Sequence, residues 1–429
     1  MIRSVADHQQ AVEALLRESS SYAAASEDLA LADARLRVLA ADVSAPVSLP
    51  PFDNSQMDGY AVHTADLGGA PLRLRVAAPV PAGIEPPALE PGTAAPIMTG
   101  AMIPQGTGTV VPIERAVPAR FHTAAEHAAG RDLLVELPAG TAPGSYIRAR
   151  GSDIAEGSLA LPAGTLLSAP QLGLLAACGV GSVPVRQRFT VLLLSTGDEV
   201  AEPGTVLGPG RIYDANTTLL EAALQEAGAA VVRHRVMGDD ARLLREALEG
   251  LEGEGINLIL STGGISQGAY EVVKQALVDS SVEFHSVAMQ PGGPQAIGSI
   301  GGVPFLGFPG NPVSALISFE MFLRPALTRL TGAPAPRVAL QARLTSPLES
   351  PEAKHQVRRG SYSDGTVSLV GGPASHLLHA LAGSNALVHV PAGQASAAAG
   401  DTVTVWLIDP AAGTGIPIAS STPRPKEKQ

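Results

Sequence analysis

Carboxylates recur at turn positions along this chain. Asp53 and Asp58 sit in FDNSQMDGY, Asp153 in RGSDI, Asp198 and Glu199 in STGDE, Asp214 in IYDAN, Asp239 and Asp240 in MGDD, and Glu271 in GAYEVVK. Singly, such an acid most often caps a helix or forms a turn. Several gathered at one sheet edge would hold a hard divalent cation such as Mg²⁺, which in turn bridges phosphates. Two other stretches, LLLSTGDEV (192–200) and LILSTGGIS (258–266), end an apolar run in small residues. Ser195, Thr196 and Gly197 in the first, and Ser261, Gly263, Gly264 and Ser266 in the second, offer hydroxyls and N–H groups to a phosphate. One such turn is ordinary, whereas two in one sheet favour a site. Neither fits the GxGxxG or P-loop pattern. FPGNPVSAL (308–316) is a helix start, with Asn311 at the N-cap and Pro312 in the first turn. Gly310 and Ser314 beside that start would also make an anion seat. Finally, VAMQPGGPQAIG (287–298) is a Gly/Pro loop, and no Lys, Arg, Asp or Glu occurs from Val287 to Pro304. It reads as an anion-wrapping loop without its cation, or as a plain turn.

From Arg186 onward, strand and helix alternate in the spacing of βαβ units. FTVLLLSTGDEV, AAVVRHRVMGDD, INLILSTGGIS and VEFHSVAMQPG read as strands. TTLLEAALQEAG, ARLLREALEGLEGE, AYEVVKQALVDS and the long VSALISFEMFLRPALTRL read as helices, the first stopped by Gly228. The pattern predicts a mostly parallel sheet covered by helices, with ligands outside the carboxyl ends of the strands. Ahead of it, SVADHQQAVEALLRES and DLALADARLRVLAADV predict a helical pair. Residues 60–185 are rich in Gly and Pro and predict short strands, with PQLGLLAACG as the one helix. Beyond TGAPAP (331–336), five further runs predict a small β-barrel or sandwich.

Composition narrows the function. At 429 residues several domains are expected. A net charge of −11 without a long basic block argues against nucleic-acid and membrane-surface binding. The single cysteine, Cys178, excludes an internal disulfide and a Cys-ligated structural zinc. Within QLGLLAACGV it reads as a small buried hydrophobe. The ten histidines are scattered, and no signal peptide or membrane span is visible, so the cytoplasm is the expected location.

PPFDNSQMDGYAV, IMTGAMIPQGTGTVV, RARGSDIAEG, STGDEV, GRIYDANTTLL, STGGISQGAYEVVKQAL and GFPGNPVSALISFE are long and specific strings. In this order and spacing, over about residues 5–408, the chain resembles the molybdopterin molybdenumtransferase (MoeA/gephyrin E-domain) family. The resemblance implies insertion of molybdate into adenylyl-molybdopterin with Mg²⁺-dependent release of AMP, giving molybdenum cofactor. One cysteine then suffices, because the sulfur ligands belong to the substrate. It implies a multidomain α/β plus β chain: 1–50 with 151–185 an elongated helical/β linker domain, 51–150 a small β-rich domain, 186–331 the α/β pterin-binding domain, and 332–408 a C-terminal β-barrel. Residues 409–429 are expected to be a disordered tail. It further implies a homodimer whose site is completed across the dimer, with a molybdopterin adenylyltransferase and molybdoenzymes as expected partners.

Carried over by motif, Asp58, Asp153, Glu199 and Asp240 are the expected catalytic acids. Thr99 of MTG and Asp214 join Ser195, Thr196, Gly197, Ser261, Gly263, Gly264, Ser266, Gly310, Asn311 and Ser314 as expected substrate contacts. Pro291, Gly292, Pro294, Arg359 of VRRG and Ser384 of GSNAL are expected near molybdate. Glu199, Asp239, Asp240 and Glu271 are the expected Mg²⁺ ligands. Two departures from the family stand out. Glu271 replaces the usual aspartate, and Gln290 and Gly293 stand where the family carries lysines near molybdate. Lys274 is a substitute cation or a solvated helix residue. Three readings follow: an active or weakened molybdenumtransferase, a paralogue using another oxyanion or a differently decorated pterin, or a non-catalytic pterin-binding scaffold. The missing lysines keep the last two open, and the retained acids favour the first.

Overall fold

The computed structural model describes residues 2–18, 22, 25–68, 70–123, 125–126, 133–195, 197, 199–235, 241–249, 255–264, 272–277 and 280–408. It divides into two compact units. One holds Met1–Glu27, Leu36–Val38 and Arg186–Gln429, the other Asp28–Arg35 and Leu39–Val185. The expected tail, 409–429, lies outside the described residues.

The first unit is built on a seven-stranded sheet. In spatial order its strands are Ile2–Arg3, Glu283–Val287, Pro294–Ile300, Val303–Phe308, Leu258–Thr262, Thr190–Ser195 and Ala230–Arg235. All neighbours are parallel except around Pro294–Ile300, which is antiparallel to both its partners. The mostly parallel sheet was expected, but the strand Pro294–Ile300 inside the presumed loop was not. Gly298 hides it. A Cβ there would lie 2.5 Å from the Ser281 carbonyl oxygen, so only glycine permits this backbone approach.

Both sheet faces are covered, which is why LLLS and LILST read as unbroken apolar runs. Val191 and Leu193 pack under the helices Val5–Glu18 and Ala215–Glu226, in one core with Val12, Leu16, Leu220 and Phe319. Leu192 and Leu194 face the other way, with Leu244 of the helix Ala241–Glu249 and Val273 of Val272–Ala276. Fully burying each such side chain stabilises the fold by about 1.5–3 kcal/mol. The opening helix therefore groups with this unit, whereas the sequence grouped 1–50 with 151–185.

The long helix is α over Pro312–Ser318, a π turn over Phe319–Leu323, and α again over Arg324–Thr331. Pro325 has no N–H to give the carbonyl four residues back. That carbonyl, of Met321, accepts instead from Gln9 Nε2 at 2.9 Å, which pins the opening helix to the π turn. Gly332, at φ 81°, closes the helix by donating to Thr328 O.

Ala339–Leu344, His355–Ser363, Thr366–Leu369, Ala386–Val390 and Thr402–Leu407 close into a five-stranded barrel, as expected. Met289–Gln290 pairs in parallel with His355–Gln356 and joins the sheet domain to it.

In the second unit, a five-stranded sheet runs Thr107–Pro112, Gly59–His63, Thr93–Ile97, Leu72–Val76 and Leu134–Leu137. The expected helix is present at Ala169–Ala177. Cys178 follows it, fully buried, and burial raises its thiol pKa. The second helix of the expected opening pair is absent. DLALADARLRVLAADV instead contributes to the strand Ser26–Ala30, a 3₁₀ turn at Leu31–Asp33 and short bridges. Its apolar residues pack with Leu167, Val183 and Val185. Its backbone pairs outward, Leu31 N–H to Gly181 O and Leu39 N–H to Thr165 O. These tertiary pairings outweigh a local helical pattern.

Candidate functional site

Three parallel strands bring the small-residue turns to one edge. Ser195 lies opposite Thr262, and Thr262 opposite Phe308, so their carboxyl ends are level. Two successive antiparallel pairings make Glu283–Val287 run in the same sense as Val303–Phe308. The loop 288–293 therefore leaves the same edge. Ser195, Gly197, Ser261, Gly263, Gly264, Gly310 and Asn311 all gather there, with Ser314 buried in the first helical turn.

The closest approaches favour glycine. At Gly264, φ is 63° and a Cβ would lie 2.7 Å from Val273 Cγ2. A Cβ on Gly310 would lie 3.3 Å from Gly263 Cα. Gly263 N–H donates to Phe308 O at 3.1 Å. Asn216, which sequence reasoning did not single out, donates from Nδ2 to Gly310 O at 2.7 Å. Its Oδ1 and the Ser261 Oγ are buried without a hydrogen-bond partner. Asp214 serves as an N-cap, accepting from Thr217 N–H at 2.9 Å and Thr217 Oγ1 at 2.7 Å. Asn311 also holds an N-cap position, but its exposed side chain makes no capping bond. The first-turn N–H groups at that helix start have no partner within the helix.

The loop 288–293 is held from both sides. Gln356 Nε2 donates to Gln290 Oε1 at 2.7 Å. Gln295 Nε2 donates to Gly292 O and to Ser318 Oγ, each at 2.7 Å. Pro291 and Gly292 are buried, while Pro294 is exposed. A Cβ on Gly293 would meet nothing nearer than Val287 O at 3.4 Å. Arg359 is 1% exposed and donates to Gly372 O and, at 3.2 Å, to Ala374 O. Arg358 donates to Gly371 O at 3.2 Å. Among the described residues neither arginine has a carboxylate partner, and burial lowers the pKa of both. Ser384 Oγ donates to Ala380 O at 2.6 Å. Gln295 and Gln356, both missed by the sequence reading, are polar residues in strands, 1% and 2% exposed.

In the second unit, Asp58 and Thr99 meet. Asp58 Oδ1 accepts from Thr99 N–H at 2.7 Å and from Thr99 Oγ1 at 2.8 Å. These bonds, the backbone one first, hold its carboxyl below the ordinary range. Asp53 accepts from Arg150 N–H at 2.7 Å, and Asp153 is exposed.

Thr196, Asp198, Asp239, Asp240, Ser266, Glu271 and the Lys274 side chain lie outside the described residues. Among the described residues no three His, Cys, Asp or Glu side chains are placed to share a metal ion. Glu199 is exposed, and its carboxylate folds over Gly197, 2.7–2.8 Å from where a Cβ would stand. Among the described residues it has no ion pair. A free carboxylate at the sheet edge is a donor of the kind Mg²⁺ takes one or two of.

Three family models match in succession: the MoeA N-terminal region (domain I and II) over 3–179, a probable molybdopterin binding domain over 192–329, and the MoeA C-terminal region (domain IV) over 341–408. The chain is 43% identical over 420 residues to molybdopterin molybdenumtransferase 2 of Mycobacterium tuberculosis, covering 94% of this chain and 99% of that one. It is 33% identical over 397 residues to the molybdopterin molybdenumtransferase of Haemophilus influenzae, covering 90% and 95%. A crystal structure of the molybdopterin biosynthesis MoeA protein from Pyrococcus horikoshii superposes with a TM-score of 0.78 at 25% identity, covering 95% of this chain and 100% of that one. The three successive domain matches and the full-length relatives agree with the order of motifs along the sequence, and the chain belongs to the MoeA (molybdopterin molybdenumtransferase) family.

Proposed function

We propose that this chain inserts molybdate into adenylyl-molybdopterin, releasing AMP, in molybdenum cofactor synthesis. The observation that carries the reading is the level edge of three parallel strands ending in small residues, with the loop 288–293 at the same edge. The first-turn N–H groups after Asn311 suit a phosphate of the substrate. Gly263, Gly264 and Gly310 leave room for it. The unpartnered Ser261 Oγ and Asn216 Oδ1 are polar groups that a bound ligand or water would satisfy. Molybdate would sit against the 288–293 loop, approached by Arg359 and Ser384.

Glu199, with Asp239, Asp240 and Glu271, would hold Mg²⁺, which when bound neutralises phosphate charge. Asp58, whose carboxyl Thr99 holds ionised, and Asp153 are the second unit's acids proposed to act on the nucleotide. The bond broken is the phosphoanhydride between the pterin's own phosphate and adenylate, cleaved by water to leave AMP and the pterin phosphate, and the new sulfur ligands come from the substrate's dithiolene. We further propose that the chain works as a homodimer in the cytoplasm, between an adenylyltransferase that supplies its substrate and the molybdoenzymes that take its product.

Activation of a cofactor-free molybdoenzyme tests this. The chain with adenylyl-molybdopterin, Mg²⁺ and molybdate should activate it, and leaving out either the chain or molybdate should not. Failure to activate with all components present would refute the proposal.

A further inference from the structure

A cavity of about 340 Å³ lies among the opening helix, the long helix and the barrel. Its charges are unevenly matched. Glu320, in the π turn, is 1% exposed and accepts from Arg337 Nε at 3.0 Å and Arg337 Nη2 at 2.7 Å. Both carboxylate oxygens are thus engaged. Arg324, 7% exposed, comes no closer to Glu320 than 3.8 Å. Its Nε and Nη1 are buried and have no hydrogen-bond partner. Arg329, on the same wall, is already paired with Glu13 at 2.6 Å. The other acid near Arg337, Glu226 at 3.6 Å, is largely in solvent. Two buried guanidinium groups therefore share one buried carboxylate. A buried charge so loosely paired is costly, and burial depresses the pKa of Arg324 despite Glu320.

An anion in the cavity would relieve that cost. Beside the polar Gln9 and Thr328, the walls from Pro325, Pro336, Ala339 and Trp406 are apolar and suit a hydrocarbon body. Arg337 is bonded to Glu320 and paired with Glu226, so one weakly paired guanidinium, that of Arg324, is left for a ligand, which suits a monoanion better than a phosphate dianion. The volume is that of a small-molecule site. We propose that this cavity binds a small monocarboxylate with an apolar body, at a place distinct from the sheet edge and independent of the reaction proposed there.

Trp406 is the chain's only tryptophan and lines this cavity, so its emission reports on a ligand there; because its ring also lies 4.3 Å from His389, the pH is held constant. The full chain is titrated with hexanoate, with 1-hexanol to probe the body alone and with inorganic phosphate to probe the charge alone. Hexanoate should shift the emission saturably, with a midpoint below about 10 mM. Hexanol and phosphate should each bind at least about tenfold more weakly. Arg324→Met should weaken hexanoate at least about tenfold while leaving hexanol unchanged. Ala339→Phe, at an exposed position on the wall, should block both without altering charge, and it serves as the test if Arg324→Met does not fold. No saturable hexanoate response, phosphate binding as tightly as hexanoate, or either variant binding hexanoate like the parent chain would overturn the proposal.

Discussion

Gly293 is where this chain's departures from the family in the 288–293 loop are most open to test. Its φ is not left-handed, and an added Cβ makes only ordinary contacts. A lysine can therefore be restored without straining the backbone. Gly293→Lys should lower the molybdate concentration for half-maximal rate by about tenfold, the worth of one charge-assisted contact. An unchanged or raised requirement would show that Gln290, Gln356 and the backbone already suffice. Asp58 offers a second test. Thr99→Val removes one of its two hydrogen bonds, so the carboxyl pKa should rise toward the ordinary value in an NMR titration. A static pKa would assign the whole depression to the backbone N–H. Asp58 and Thr99 were each legible from a motif, MDGY and MTG. That they touch was not, because they stand 41 positions apart and only the fold closes the gap. Asn216, Gln295 and Gln356 escaped notice because amides at these positions carry no periodic signal. Their importance appears only with burial and partners.

At the scale of elements, apolar runs and turn residues announced the βαβ alternation, the barrel strands and the helix beginning at Pro312. Failures came where tertiary contacts override local pattern. The second opening helix gave way to cross-segment pairing, and Gly298 concealed a strand. The π turn was read as plain helix, because Pro325 reveals its cost only once the Met321 carbonyl is seen to turn to Gln9. Two stability predictions belong here. Gly264→Ala places a Cβ against Val273 at left-handed φ and should cost about 1–3 kcal/mol in denaturant unfolding. Glu320→Gln removes the only carboxylate that, among the described residues, is buried against Arg324 and Arg337. It should cost on the order of 3–5 kcal/mol, and an unchanged midpoint would contradict the charge assignment in the π turn.

For the whole molecule, buried imidazoles set the acid limit of stability. Burial lowers the pKa of His8 to about 4 and of His389 to about 3, helped in each case by a neighbouring cation or histidine. Below pH 6.5 the unfolded chain binds protons that these folded sites refuse, so stability falls as pH falls. Each site should withdraw on the order of 2 kcal/mol between pH 6.5 and pH 5. Thermal unfolding across that range checks this, and His389→Phe should flatten the slope. Family membership was legible from the order of motifs, since that order spans nearly the whole chain. Chemistry at the sheet edge is open to direct measurement. The direct measurement is AMP release from adenylyl-molybdopterin in the presence of Mg²⁺ as molybdate is titrated. Release should be saturable, with AMP formed in step with cofactor. No molybdate-dependent release at millimolar molybdate would contradict that chemistry.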